Sequence, residues 1–359
     1  MDERWEAYER IDKHAERMDT PYDQWASSQG IDIHRGYFVE DLNALPLKWW
    51  ERMDAYGAFI MLEGTGYQDD ACLLGIPPGK STRPQRHLFE ALVYVLEGRG
   101  ATSVWIDEHR KQSFEWHKGS LFAIPLNACY QHFNGQGDKE ARLLAVTDAP
   151  LVFNLFHNED FIMNNPYAFT DRFRGGEGYF AGKGTLHRDR VLVTNFVANV
   201  PNLVPMEWHE RGKGNRTMFF DLAESTMGAH VSEFPVGIYK KAHRHGPGAH
   251  VVILSGEGYS LLWPEGEKKM RVDWKPGSVV VPPENWFHQH FNPGKRPARY
   301  LALKMLSRRF KFQPGKIRSD VSIKEGGQQI EYEDEDGEIR RIFEQECAKN
   351  GVEVKLPKR

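Results

Sequence analysis

From Phe59 onward, short runs rich in Val, Leu, Ile and aromatics alternate with turns containing Gly or Pro. ALVYVLEGRG, SLFAIPLN, ARLLAVTD, HVVILSGEG, SVVVPPEN and RYLALKML are examples. This texture predicts a strand-rich sandwich or barrel. The first 28 residues differ: Trp5, Tyr8 and Ile11 recur at helical spacing, which predicts an amphipathic helix capping the main body. Residues 158–184 are rich in Asn, Phe, Gly and Arg and read as a long connection. After Arg308 the chain is highly charged, with YEDEDGEIRR followed by a helix-like IFEQECAKN, a peripheral strand and helix or a partner-contacting arm. The organisation expected is a helical arm over 1–54, strand-rich domains over 55–155 and 201–310, a connection over 156–200 and a charged tail over 311–359.

Placing residue n beside residue n+158 exposes an internal repeat. RHLFEALVYVLEGRGATSVW (86–105) falls on RHGPGAHVVILSGEGYSLLW (244–263), with Arg86/Arg244, His87/His245, Ala91/Ala249, Val93/Val251, Leu96/Leu254, Gly98/Gly256, Gly100/Gly258 and Trp105/Trp263 identical. The same offset places WHKGSLFAIPLNACYQHFN (116–134) on WKPGSVVVPPENWFHQHFN (274–292) without a gap. The chain therefore contains two copies of one strand-rich domain.

Composition narrows the function. A net charge of −3 shows no basic excess of the kind a nucleic-acid binder carries. No apolar run approaches the ~20 residues of a membrane helix, and the charged N-terminus lacks the apolar stretch of a secretory signal. Cys72, Cys129 and Cys347 are far apart and form no CxxC pair, so neither a zinc ribbon nor a disulfide framework is expected. A cytoplasmic location fits this usage.

The chemistry is concentrated in the second copy. His243 and His245 lie two apart on a predicted strand, so both project from one face. His288 follows Pro283 on a second strand. Three imidazoles converging inside a barrel form a facial metal site with open positions, and imidazole suits iron, zinc, copper and nickel. The order Gly237, His243, His245, Ala249, Gly256, then Gly277, Pro283, Asn285, His288, Asn292 resembles the two signature motifs of the cupin superfamily. Over roughly 60–310 the chain resembles a bicupin, and HRHGPGA resembles the HRHxxxA pattern of gentisate 1,2-dioxygenase-like proteins. Similar bicupins are also labelled ethanolamine ammonia-lyase-activating.

The resemblance implies an all-β fold of two jelly-roll barrels with helical N- and C-terminal extensions. It also implies a metal held by His243, His245 and His288. Most metal-binding cupins place a Glu after the HxH pair. Here one count puts Ala249 at that place and another puts His250 there, so His250 is a possible fourth ligand or an outward-facing residue at the domain interface. In gentisate dioxygenases the N-terminal cupin holds the working iron. In this chain Gln85, His87 and Tyr130 stand where His243, His245 and His288 stand, so the first copy is expected to be metal-free.

Around the metal, strand alternation directs Tyr239, Lys241, Trp286 and His290 toward the cavity, as a substrate pocket, with Lys241 either a substrate-anion contact or a residue at the open barrel mouth and Trp286 either a pocket wall or core packing. QHFN occurs in both copies, so His290 shares a counterpart, His132, with the metal-free domain and is expected to be structural or supporting. His187, His209 and His230 are scattered and read as surface or core histidines.

The function implied is a mononuclear Fe(II) dioxygenase cleaving the ring of a small hydroxylated, plausibly aromatic, acid with O2. Zn, Mn, Ni or Cu could occupy the same imidazoles. The alternative is a non-oxidative metal cupin, either a zinc isomerase or cyclase or a small-molecule sensor. No motif assigns a catalytic acid or base. Exposed sheet edges predict a homo-oligomer.

Overall fold

The computed structural model describes residues 19–107, 109–187, 190–310 and 318–357. The expected arm residues Trp5, Tyr8 and Ile11 lie outside them. Runs that are apolar on both faces pair into two jelly-roll barrels. In the first, a large sheet ordered Asp32–Gly36, Ala55–Leu62, Asp70–Ile76, Ala141–Thr147, Ala91–Glu97, Leu121–Ile124 faces a small one of Cys129–Asn134, Arg99–Trp105 and Lys111–His117. The second repeats the plan: Val191–Thr194, Arg216–Leu222, Gly228–Phe234, Ala298–Lys304, His250–Ser255 and Val279–Val280 face Ile238–Tyr239, Phe287–Asn292, Gly258–Trp263 and Met270–Trp274. The architecture is all-β, with helices only outside the sheets.

The repeat is visible in backbone detail. A Cβ on Gly100 would lie 2.0 Å from the Phe133 carbonyl oxygen, and one on Gly258 would lie 2.1 Å from that of Phe291. Only glycine lets the paired antiparallel strands approach so closely there. Asn134 donates from Nδ2 to the carbonyls of Ile76 and Pro77, and Asn292 does the same to Phe234 and Pro235.

The correspondence also extends upstream of the motifs. Phe38–Val39 pairs with Val279–Val280 in the second barrel, while Phe196–Val197 pairs with Leu121–Phe122 in the first. Each copy thus lends its leading strand to the other. The segment 1–54, expected to be a helical arm, is helical among its described residues only at Pro21–Ser28. Beyond Gly30, with φ of +72°, it turns to strands at Asp32–Gly36, Phe38–Val39 and Lys48–Trp50. The connection 156–200 likewise carries Val191–Thr194 and Phe196–Val197.

The helix Pro21–Ser28 starts on a capping box between Thr20 and Asp23. It seats Tyr22 and Trp25 against Phe59 and Phe153 at one end of the first barrel. The large sheets pack face to face through a shared core that includes Leu73, Leu92 and Leu144 from one and Phe220, Val252 and Leu301 from the other. In the tail, the helix Gly337–Asn350 buries Ile339, Phe343 and Cys347 against the outer face of the second barrel's small sheet.

Candidate metal centre

His243 and His288 exchange both backbone hydrogen bonds, at 3.1 and 2.9 Å, so their side chains leave the same pair of strands side by side. His245 joins them two residues on, past a turn in which Asn285, at φ of +61°, donates its N–H to the His245 carbonyl. The ring centroids of His243 and His288 are 4.2 Å apart, and those of His245 and His288 are 4.8 Å apart. Nitrogens of the three rings lie within 4.8 Å of one another.

The tautomers suit a metal. Nδ1 of each ring lies against a backbone carbonyl: His243 against Lys241, His245 against Gly246 and His288 against Trp286, at 3.4, 3.1 and 3.3 Å. Donation from Nδ1–H leaves each Nε2 lone pair available, the arrangement metal-ligating histidines adopt. Burial and neighbouring cations hold all three in the neutral form that a metal requires, with His288 lowered to about 3. The residues present therefore fit a divalent ion held by three imidazoles.

The other sequence-selected residues are placed differently. His250 is fully buried but lies on the opposite face of its strand, with Val252 in the inter-barrel core, while Val251 and Ile253 face the barrel interior. Its Nδ1 is 3.2 Å from Asp69 of the first barrel, and it is not part of the three-imidazole cluster.

Tyr239 and Lys241 do not face the barrel interior. Strand alternation breaks at a bulge, because Tyr239 pairs with Phe291 and Lys240 with His290, whereas His243 pairs with His288. Lys241 and Ala242 thus oppose the single residue Gln289, and the extra residue inverts the facing of what precedes it. Tyr239 packs outward on Phe343 and donates to Glu335, and Lys241 pairs with Glu331 at the surface. Trp286 is half-buried against Tyr37 and lines a cleft of about 380 Å³ between the barrels.

His290 is tied into the wall. Trp274 Nε1 donates to Ser260 Oγ at 3.0 Å, and Ser260 lies 2.7 Å from His290 Nδ1. Trp116, Thr102 and His132 repeat this chain in the first barrel at 2.9 and 2.7 Å.

Four further residues face the same interior, three passed over in the sequence and the fourth, His230, read there as a surface or core histidine. Lys240 reaches Tyr300 Oη at 2.8 Å, Lys304 lies 3.4 Å from His245 Nδ1, and Arg211 binds Ser319 and Gln329. All three are buried, and none has a carboxylate partner within ion-pair distance among the described residues. Burial lowers Lys304 to about 8 and Arg211 to about 10. His230, ringed by Phe219 and Tyr300, has a buried Nδ1 without a hydrogen-bond partner. A lysine on an otherwise apolar strand, as in RYLALKML, was the one legible signal.

In the first barrel Gln85 turns outward to the carbonyls of Arg52 and Arg83, leaving His87 and Tyr130 bonded to each other at 3.0 Å. Among the described residues, no second cluster of metal-ligating side chains occurs.

No family model matches the chain, and no curated relative does. Solved structures do. An internal-deletion mutant of Bacillus subtilis oxalate decarboxylase has a TM-score of 0.50 at 14% identity, covering 75% of this chain and 76% of that one. A point mutant of the same enzyme has a TM-score of 0.50 at 13% identity, covering 75% and 77%. At this identity the likeness concerns the fold, and the fold is that of a bicupin. No helix among the described residues is long and apolar enough to cross a membrane.

Proposed function

We propose that the chain is a mononuclear metalloenzyme of the gentisate 1,2-dioxygenase-like type, working in its second barrel on a small hydroxylated acid. Fe(II) is the metal proposed, with His243, His245 and His288 as its ligands; bound there, it would supply open positions for substrate and O2. The observation that carries the reading is the pairing of three neutral, convergent imidazoles with three buried cations that have no carboxylate within ion-pair distance among the described residues. An unpaired buried charge is costly. An anionic substrate entering beside Lys240, Lys304 and Arg211 offsets that cost, and a carboxylate meets it in the smallest space. Ser260 accepts from Trp274 and, among the described residues, has no acceptor for its own proton other than His290 Nδ1, which leaves the His290 Nε2–H as a neutral donor beside the cluster.

Anaerobic loading with Fe(II), followed by oxygen-uptake screening over hydroxybenzoates, hydroquinones and β-diketones, tests this. Oxygen consumption stoichiometric with a hydroxylated acid, and lost in His243→Ala, supports it. The cationic interior equally favours a second reading, a non-oxidative metal cupin acting on an organic anion, as the oxalate decarboxylases of like fold do by name. Anaerobic turnover of a carboxylate with Zn(II) or Mn(II), without oxygen uptake under any loading, would select that alternative.

A further inference from the structure

The first barrel keeps a cavity where the second places its imidazoles. It measures about 70 Å³; its lining is mostly apolar, Trp50, Phe59 and Leu143 among it, with Tyr130 and His132 among the polar members beside His87, Gln85, Thr147 and Arg52. One water needs ~10–15 Å³ of such space, and an apolar cavity of ~150 Å³ can hold benzene. The cavity thus lies between these limits. Met53 and Met163 in its wall are unbranched and adaptable.

The polar atoms have a defined sense. His87 Nδ1 lies 2.7 Å from the Phe89 carbonyl, which can only accept, so His87 carries its proton there. Its Nε2 then accepts from the Tyr130 hydroxyl, 3.0 Å away, and Tyr130 Oη is left with lone pairs only. On the neighbouring wall the buried Thr102 hydroxyl accepts from Trp116, and among the described residues its proton has no hydrogen-bond acceptor other than His132 Nδ1. His132 therefore presents Nε2–H. An acceptor and a donor sit on rings whose centroids are 5.2 Å apart.

Charge is absent from this pair. Burial holds His87 down to about 4 and His132 to about 3 and pushes the Tyr130 hydroxyl up. Arg52, at the rim, is paired with Glu159 at 2.6 Å. Arg52, Gln85 and Met163 also line an open surface groove, so these three side chains are the wall between the cavity and solvent.

We infer that the first barrel is a binding site for a small neutral molecule bearing one hydroxyl on an apolar body, the hydroxyl donating to Tyr130 and accepting from His132. The site is independent of the metal centre. Ethanol and propane, nearly equal in size and smaller than benzene, are the probes, titrated by ligand-detected NMR against the full-length protein. Ethanol binds at least tenfold more tightly, although propane is the more apolar. Tyr130→Phe brings the two within about threefold, and Ala91→Leu, which fills the cavity, weakens ethanol at least tenfold. His243→Ala combined with His288→Ala leaves ethanol affinity within twofold. Propane binding as tightly as ethanol, no binding of either, or ethanol binding lost with the second-barrel histidines overturns the inference. The comparison on unmutated protein decides it even if Ala91→Leu does not fold.

Discussion

Three histidines to alanine, His288, His290 and His132, separate the roles of residues that lie close together. In His290→Ala the Ser260 hydroxyl still accepts from Trp274 but loses the nitrogen to which it donates. A buried donor left without an acceptor costs about 1–3 kcal/mol. The first barrel supplies the control, since His132→Ala strands Thr102 beneath Trp116 in the same way. The two losses should agree within ~1 kcal/mol in urea denaturation of metal-free protein. Metal titration should part them from His288→Ala. The unmutated chain binds one equivalent, and His132→Ala leaves it intact. His290→Ala stays within the ~10–100-fold that losing a supporting group costs, whereas His288→Ala abolishes tight binding with a smaller loss of fold stability. If His290→Ala loses the metal and His288→Ala retains it, the assignment of the second motif is wrong. Two tightly bound equivalents would refute the metal-free first barrel.

The metal-free protein should lose stability below neutral pH. His87 and His132 titrate near 4 and 3 in the fold but near ~6.5 when unfolded. The unfolded chain therefore takes up protons first. Their contribution is complete above ~6.5 and falls as pH drops toward 4, by up to about 1.4 kcal/mol per unit for each; urea midpoints that stay flat between pH 7 and 5 refute this. We also expect a homo-oligomer, most simply a two-fold dimer, since the outermost strand Gly184–Leu186 is exposed at its sheet edge. Sedimentation as a monomer at micromolar concentration contradicts it.

The two barrels and the three convergent imidazoles were legible because the repeat and the HxH spacing depend on local strand geometry. Orientation upstream of His243 was not, because alternation carries through a strand only while the ladder is regular. The bulge at Lys241–Ala242 exchanged Lys240 for its neighbours in the cavity. His250 was ambiguous for another reason: its strand is buried on both faces, so parity alone could not distinguish the metal from the first barrel's Asp69. Arg211 belongs to no repeat motif, and its guanidinium is held by donating to Ser319 and Gln329 of the tail.

The exchanged strands make each barrel dependent on the other, which the motif alignment did not reveal. In the second barrel Val281 donates to the Tyr37 carbonyl at 2.9 Å, the Gly277 carbonyl accepts from Leu42 at 2.8 Å and Ser278 Oγ donates to Glu40 at 2.6 Å. The mirror contacts, Val200 to Gly119 and Ser120 to Ala198, are 2.8 and 2.7 Å. Cutting the chain at residue 200 removes this strand, together with the second barrel's own strand Val191–Thr194, from the second half, and each lost bond costs about 0.5–1.5 kcal/mol. The same cut exposes the inter-barrel face, including Val252, Leu301 and Leu303, at about 1.5–3 kcal/mol for each fully uncovered side chain. Together these losses approach the whole stability of an ordinary domain, ~5–15 kcal/mol. Residues 201–357 expressed alone should therefore aggregate or melt without a cooperative transition and fail to bind metal tightly, although they contain His243, His245 and His288. A sharp unfolding transition with full-length metal affinity from that fragment would show that the borrowed strand is dispensable and that the second barrel is a domain in its own right.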